Sequence, residues 1–200
     1  IPYARPNGMT YDEYTQLSRE RFNKMGYTLT GIHTHGDPKQ AVQSAEAIFI
    51  GGGNTFVLLE QLYKEDILSD IRKQVERGTP YIGSSAGANV ACPSIKTTND
   101  MPIVYPPSFK ALDLVPFNIN PHYLDPDPNS QHMGETRATR IKEFHCYNSE
   151  SVVGLREGAI LHVINNDIIL KGNTGARVFK SQNKADEYKP GDKLDFLLNT

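Results

Sequence analysis

Apolar residues recur along the chain in two rhythms, one near 3.6 and one of 2, and the switches between them mark the elements. The first helical stretch spans Thr10 to Met25. Thr10 and Glu13 have the spacing of a capping box, and Gly26 stands where a terminating glycine belongs. Tyr27 to Ile32 then alternates and predicts a strand. Asp37-Pro38, an N-cap followed by proline at the first helical position, opens a second helix together with Gln40. Ala47-Ile48-Phe49-Ile50 predicts a short apolar strand, cut off by Gly51-Gly52-Gly53. Asn54 can cap the helix that follows, whose Phe56, Leu59 and Leu62 recur at helical spacing. A further helix runs from Asp66 to Arg77, turns Ile67, Ile71 and Val75 inward and stops at Gly78. Thr79 to Gly83 predicts a buried strand that leads at once into a helix beginning at Ala86.

Strict alternation of strand and helix implies an α/β fold, with a mostly parallel sheet and helices on both faces. In such sheets ligands bind beyond the carboxyl ends of the strands, which points to the loops Gly51–Asn54 and Gly83–Gly87. After Val90 the pattern loosens. Residues 92 to 116, punctuated by Pro93, Pro102, Pro106, Pro107 and Pro116, read as a long ordered loop of the kind that carries function. A strand near Phe117–Ile119 runs into Asn120-Pro121-His122 and a second Pro/Asp-rich loop through Asn129. Glu135 to Phe144 predicts a helix with Arg137 and Arg140 on one side and Ile141 and Phe144 on the other. Short strands follow at Val152–Leu155, Ile160–Ile164, Ile168–Lys171 and Val178–Lys180, with a hairpin turn at Asn165-Asn166. No internal repeat or linker interrupts residues 1–200, so a single domain is expected.

Composition narrows the function classes. With 21 Lys and Arg against 23 Asp and Glu, the net charge of −2 offers no general field for nucleic acid or an anionic membrane. No apolar run exceeds four residues, far short of a membrane-spanning helix. The cysteines, Cys92 and Cys146, cannot make a disulfide scaffold or a four-cysteine zinc site. The chain also lacks an Asn-x-Ser/Thr sequon, in keeping with a cytoplasmic protein.

Gly83-Ser84-Ser85-Ala86-Gly87 fits the G-x-S-x-G pattern with Ser85 at its centre. Glycines flank such a serine because a sharp strand-to-helix turn leaves little room for Cβ atoms, and the turn exposes the hydroxyl. The N–H of Ala86 would help to form an oxyanion hole, and a bare glycine N–H from Gly51–Gly53 would supply a second donor. That glycine run lacks the lysine of a P-loop and the spacing of a dinucleotide fingerprint, so phosphate binding is the weaker reading. A nucleophilic serine needs a base, usually histidine. Of His33, His35, His122, His132, His145 and His162, the best placed is His122, which follows a strand and is held by Pro121. His145 at a helix end and His162 within a strand read as structural, and His33, His35 and Asp37 as a polar loop rather than a metal site. The orienting acid is either Asp100, in the order Ser, Asp, His, or Glu157, in the order Ser, His, Glu. The residues alone leave that choice open.

Taken together, several motifs in order resemble peptidase E, the α-aspartyl dipeptidase family. They are Gly51-Gly52-Gly53-Asn54-Thr55-Phe56, Gly83-x-Ser85-Ala86-Gly87-Ala88-Asn89, Thr97-Thr98-Asn99-Asp100-Met101-Pro102 and Asn120-Pro121-His122, joined by Gly134-Glu135-Thr136-Arg137 and Leu155-x-Glu157-Gly158. The resemblance implies a three-layer α/β/α fold akin to class I glutamine amidotransferases, with serine in place of their cysteine. It implies a triad of Ser85, His122 and Glu157, with Asp100 as the second choice of acid, and oxyanion donors in the amides of Gly53 and Ala86. Arg137 matches the arginine that the family uses for the substrate's aspartate side chain. The implied activity is hydrolysis of Asp-X dipeptides through an acyl-enzyme with no metal or organic cofactor. The expected partner is a small acidic dipeptide, and a homodimer is the candidate assembly. The alternatives are a cyanophycinase-like β-aspartyl peptidase, a non-catalytic module that binds acidic ligands and, last in order, a flavodoxin-like nucleotide binder. Ser84 stands where some relatives carry a bulky aromatic, which would alter the pocket. The family also has a first strand and helix entrance ahead of the segment matching Ile1, so a βα unit of about 30 residues is expected to be absent here.

Overall fold

Side-chain caps open four of the six α-helices among the described residues. The computed structural model describes residues 1–126, 134–181 and 184–199. Two compact units emerge, Ile1–Ile95 with Asp100–Leu114, and Lys96–Asn99 with Val115–Thr200.

In the first unit Thr10 accepts from the Glu13 amide while the Glu13 carboxylate bonds back to the Thr10 amide, and this box opens helix α1 (Tyr11–Lys24). Asp37 accepts from the amides of Lys39 and Gln40 to open α2 (Pro38–Gln43). Strand β1 (Ile48–Ile50) ends at the glycine run, and Asn54 caps α3 (Thr55–Lys64) through the amides of Phe56 and Val57. Helix α4 (Leu68–Glu76) leads to strand β2 (Tyr81–Gly83), which pairs parallel with β1 in the register Ile48↔Tyr81 and Ile50↔Gly83. Helix α5 (Ala86–Ala91) follows. Ile50, Leu58, Leu59, Leu62, Ile67 and Ile71 are fully buried in the core beneath these elements. Burial of each such side chain stabilises by roughly 1.5–3 kcal/mol.

Two expectations fail here. Tyr27–Gly31 forms no ladder among the described residues, and Ile32 starts a 3-10 turn, Ile32–Thr34. Side-chain donors take carbonyls that a neighbouring strand would use: Arg19 Nε bonds Leu29 O (3.0 Å) and Thr34 Oγ1 bonds Gly31 O (2.8 Å). Strand β2 is not buried either, with Ile82 47% exposed. Tyr81 turns towards α5, where its hydroxyl bonds Gly87 O (2.7 Å), so strand alternation sends Ile82 to the other face.

In the second unit strand β3 (Asn118–Pro121) pairs parallel with β4 (Val152–Leu155). Helix α6 (Arg137–Phe144), capped by Thr136, lies between them in the chain. Strands β5 (Ala159–Ile164) and β6 (Asp167–Gly172) form the expected hairpin. Strand β7 (Ala176–Phe179) then pairs antiparallel with β4 and with β8 (Asp186–Tyr188), a strand the residue pattern does not announce. The fold is therefore mixed α/β: the pairs connected through helices, β1–β2 and β3–β4, run parallel, whereas β7, reached from β4 through the β5–β6 hairpin, runs antiparallel to β4 and to β8. Among the described residues no helix is long and apolar enough to cross a membrane. The loop 92–116 is ordered as expected, tied by a bridge between Ser94 and Lys110.

Candidate active site

Ser85 occupies the turn between β2 and α5 with φ 53° and ψ −109°. That is a left-handed backbone for a residue with a Cβ, and such strain costs on the order of 1–3 kcal/mol and survives only where its surroundings enforce it. Enforcement is visible on both sides. The amide of Ser84 bonds Ile50 O (3.0 Å), and the Gly87 amide bonds Gly51 O (3.2 Å) and Ser84 O (2.9 Å). A Cβ on Gly87 would be driven into the Ile50 carbonyl, so only glycine lets α5 sit this close to β1. The G-x-S-x-G reading is thus realised as a strand–turn–helix elbow with a half-buried serine.

The glycine run lies against this turn, for a Cβ on Gly52 would come within 3.0 Å of the Ser85 Cβ. Gly53 has φ 137°, a conformation closed to other residues, and a side chain there would meet the Ala4 carbonyl. Among the described residues no hydrogen bond is made by the N–H of Gly53 or of Ala86. Asp100 lies in this first unit, where its carboxylate accepts from the Thr55 amide (2.7 Å) and the Thr55 hydroxyl (2.5 Å) at the start of α3. Asn54 Nδ2 bonds Met101 O (2.9 Å), so Asn54 and Thr55 together hold the Asp100-Met101 end of the motif.

His122 and Glu157 meet in the second unit. His122 follows β3 with φ 53°, and its Nδ1 lies 2.6 Å from Glu157 Oε2. A carboxylate only accepts, so the proton sits on Nδ1, and the neutral ring keeps a lone pair on Nε2 for a proton from elsewhere. With the side chains 55% and 84% exposed, this pair adds at most about 1 kcal/mol of stability. Its value is orientation. The Pro121 carbonyl accepts from Asn99 Nδ2 (2.8 Å), Asn120 Nδ2 bonds Thr97 O (2.9 Å) and Asn99 Oδ1 (2.8 Å), and Thr97 Oγ1 bonds Ile119 O (2.9 Å). The Thr97–Asn99 stretch is therefore the brace of the strand that delivers His122. On the other side, the Glu157 carbonyl accepts from Thr174 Oγ1 (2.5 Å).

Residue reasoning missed one supporting group altogether. Arg156 grips Asp125 with two hydrogen bonds (2.8 and 2.9 Å) and reaches Glu187 (3.0 Å) on β8. This fork ties the segment after His122 to the residue before Glu157. The Arg156 hydrogen bond holds the Asp125 carboxyl below its ordinary value, so the clamp persists as pH falls through the usual carboxylate range and is lost only on protonation below it. Partners 31 residues apart leave no local signal.

Arg137 is the first residue of α6 and is half-buried. His145 bonds Glu150 O (3.0 Å), which fits its structural reading. His33 Nε2 bonds Asp12 Oδ1 (2.8 Å), a tie between the 3-10 turn and α1. His132 and the loop from 127 to Asn129 lie outside the described residues.

Comparison with known proteins places these features in a family. The description "Peptidase family S51" matches residues 1–171. A Drosophila melanogaster protein named "Probable alpha-aspartyl dipeptidase" is 51% identical over 199 residues, covering 99% of this chain and 82% of the relative. A Streptomyces coelicolor protein named "Peptidase E" is 47% identical over 199 residues, covering 100% of this chain and 81% of its own length. Among solved structures, the crystal structure of a peptidase from an acI-B1 Actinobacterium shares the fold with a TM-score of 0.73 at 16% identity, over 97% of this chain and 81% of that one.

Proposed function

This chain belongs to peptidase family S51, and on that premise we propose that it is a serine exopeptidase releasing N-terminal aspartate from Asp-X dipeptides. The observation that carries the reading is the Ser85 turn, a strained left-handed serine between a strand and a helix. Ser85 attacks the peptide carbonyl while His122 takes its proton and Glu157 holds the imidazole. The carbonyl electron pair moves onto oxygen, where the Gly53 and Ala86 N–H groups hold it. Collapse expels the amine of X, protonated by His122, and leaves an aspartyl ester on Ser85. Water, deprotonated by the same histidine, then releases aspartate. The His122–Glu157 hydrogen bond supports Glu157 as the orienting acid, and the bonds of Asp100 to Thr55 support a structural role for that residue.

Arg137 gives the reading its specificity, because a planar, permanently charged fork matches the substrate's side-chain carboxylate. Arg137→Ala is expected to lower kcat/KM for Asp-X by about 10²-fold, in the range for losing a charged hydrogen-bonded partner. Loss for Asn-X should be much smaller, as steady-state assays of the two substrates would measure. An unchanged preference for aspartate removes Arg137 from this role.

The S51 match runs through both units, which supports one peptidase domain. Its parallel βα portions support the three-layer, amidotransferase-like arrangement. Free thiols at Cys92 and Cys146 support a cytoplasmic setting. The deciding experiment offers the chain α-linked and β-linked aspartyl dipeptides side by side. Turnover of the α-linked form supports the proposal; turnover confined to the β-linked form makes the chain a β-aspartyl peptidase, and binding without turnover makes it a binding module.

A further inference from the structure

Tyr14 lies in the second turn of α1, far in sequence from the glycine run, and its hydroxyl donates to Gly52 O at 2.9 Å. The same phenol occupies the space that a Cβ on Gly51 would need. The run is thus moulded around this ring twice, by a missing side chain at Gly51 and by a hydrogen bond at Gly52. Among the described residues no peptide bond is cis, so the Gly52–Gly53 unit is planar and trans. Its two polar groups point in opposite directions: holding the Gly52 carbonyl towards α1 turns the Gly53 N–H away from α1. Glycine on both sides of this peptide leaves no steric bar to a flip that would exchange the two. The bond from Tyr14 favours the orientation seen.

We infer that Tyr14 is a positioning residue for the oxyanion hole, fixing the Gly52–Gly53 peptide so that the Gly53 N–H is presented to the developing charge. The inference rests on the proposed function, in which Gly53 is an oxyanion donor. It extends that reading to a residue that the site motifs do not contain. Burial raises the phenol above its ordinary value, so the hydroxyl keeps its proton and donates throughout the neutral range. Helix α1 is itself anchored by the Thr10–Glu13 capping box one turn earlier, which gives the phenol a rigid base.

Removal of a direct oxyanion donor costs about 10²–10³ in kcat, and releasing one donor's orientation costs a part of that. Tyr14→Phe keeps the ring and deletes only the hydroxyl. It should lower kcat for an Asp-X dipeptide by roughly 5- to 50-fold with KM within about twofold, because the oxyanion exists only after attack. One lost hydrogen bond lowers the thermal midpoint by a few degrees at most, and assays are run well below it.

A second measurement separates positioning from loosened structure. The aldehyde corresponding to aspartate is used as a probe: Ser85 oxygen adds to the aldehyde carbon, its proton passes to His122, and the carbonyl electron pair becomes the oxyanion. Inhibition by this aldehyde should weaken by the same factor as kcat, while competitive inhibition by free aspartate, which forms no oxyanion, should not change. A kcat and an aldehyde inhibition constant both within twofold of the parent overturn the inference. So does an equal loss in aldehyde and aspartate binding, which marks a general loosening. Ser85→Ala run in parallel keeps the two levels apart. If it is inert and the parent active, the proposed function stands whatever Tyr14→Phe does; hydrolysis that is absent in the parent, or undiminished by Ser85→Ala, removes the function and this inference together.

Discussion

Ser85→Ala is expected to cut Asp-X hydrolysis by about 10⁴-fold or more, with KM little changed and the fold intact. The size follows from the nucleophile's place at the head of the reaction. Without its oxygen no acyl-enzyme forms, and what remains is attack by water, aided by the oxyanion donors and by binding. The alanine keeps a Cβ and therefore the same strained turn, so loss of activity is not confused with a relaxed elbow. Purified variant and parent, compared by steady-state release of aspartate, provide the measurement. A rate within tenfold of the parent would show that the elbow serves only packing.

The second large effect concerns the acid. Glu157→Gln should reduce kcat by about 10²–10⁴, because an amide presents a donor as readily as an acceptor and no longer enforces the proton on His122 Nδ1. Asp100→Asn should leave kcat within about tenfold. An asparagine oxygen still accepts from the Thr55 amide, and the change falls on the start of α3 rather than on the imidazole. Both variants are to be compared by kcat and by thermal midpoint. A larger loss of kcat from Asp100→Asn would reverse the assignment.

Local chemistry was the legible part of this chain. A capping box, two Asx caps and a serine elbow each act within a few residues, so Thr10, Asp37, Asn54 and Ser85 could be read correctly from their neighbours alone. Strand pairing was not legible to the same degree. Alternation at Tyr27–Ile32 reports on side-chain faces, whereas a strand exists only when a second backbone accepts its hydrogen bonds. For β2 the apolar composition suggested two covered faces, yet Ile82 is exposed. The antiparallel pairing of β7 with β4 and β8 departs from the βα rhythm of the first half, and only the connection 180–185 between β7 and β8 is too short for a crossover. Arg156 with Asp125, and Tyr14 with Gly52, are long-range pairs of ordinary residue types. Nothing in the local pattern sets either pair apart from a solvated arginine or an amphipathic helix tyrosine.

Both side chains assigned to proton transfer sit on left-handed backbone, Ser85 and His122 each at φ 53°. Glycine is the residue that such backbone tolerates best, and at each position it would relieve strain while deleting the reacting atom. Evolution in the laboratory for heat resistance alone would therefore drift towards glycine at these codons and return a sturdier, silent protein. Any such campaign needs turnover as a co-selected trait, since here comfort of the main chain and chemistry compete for the same two positions.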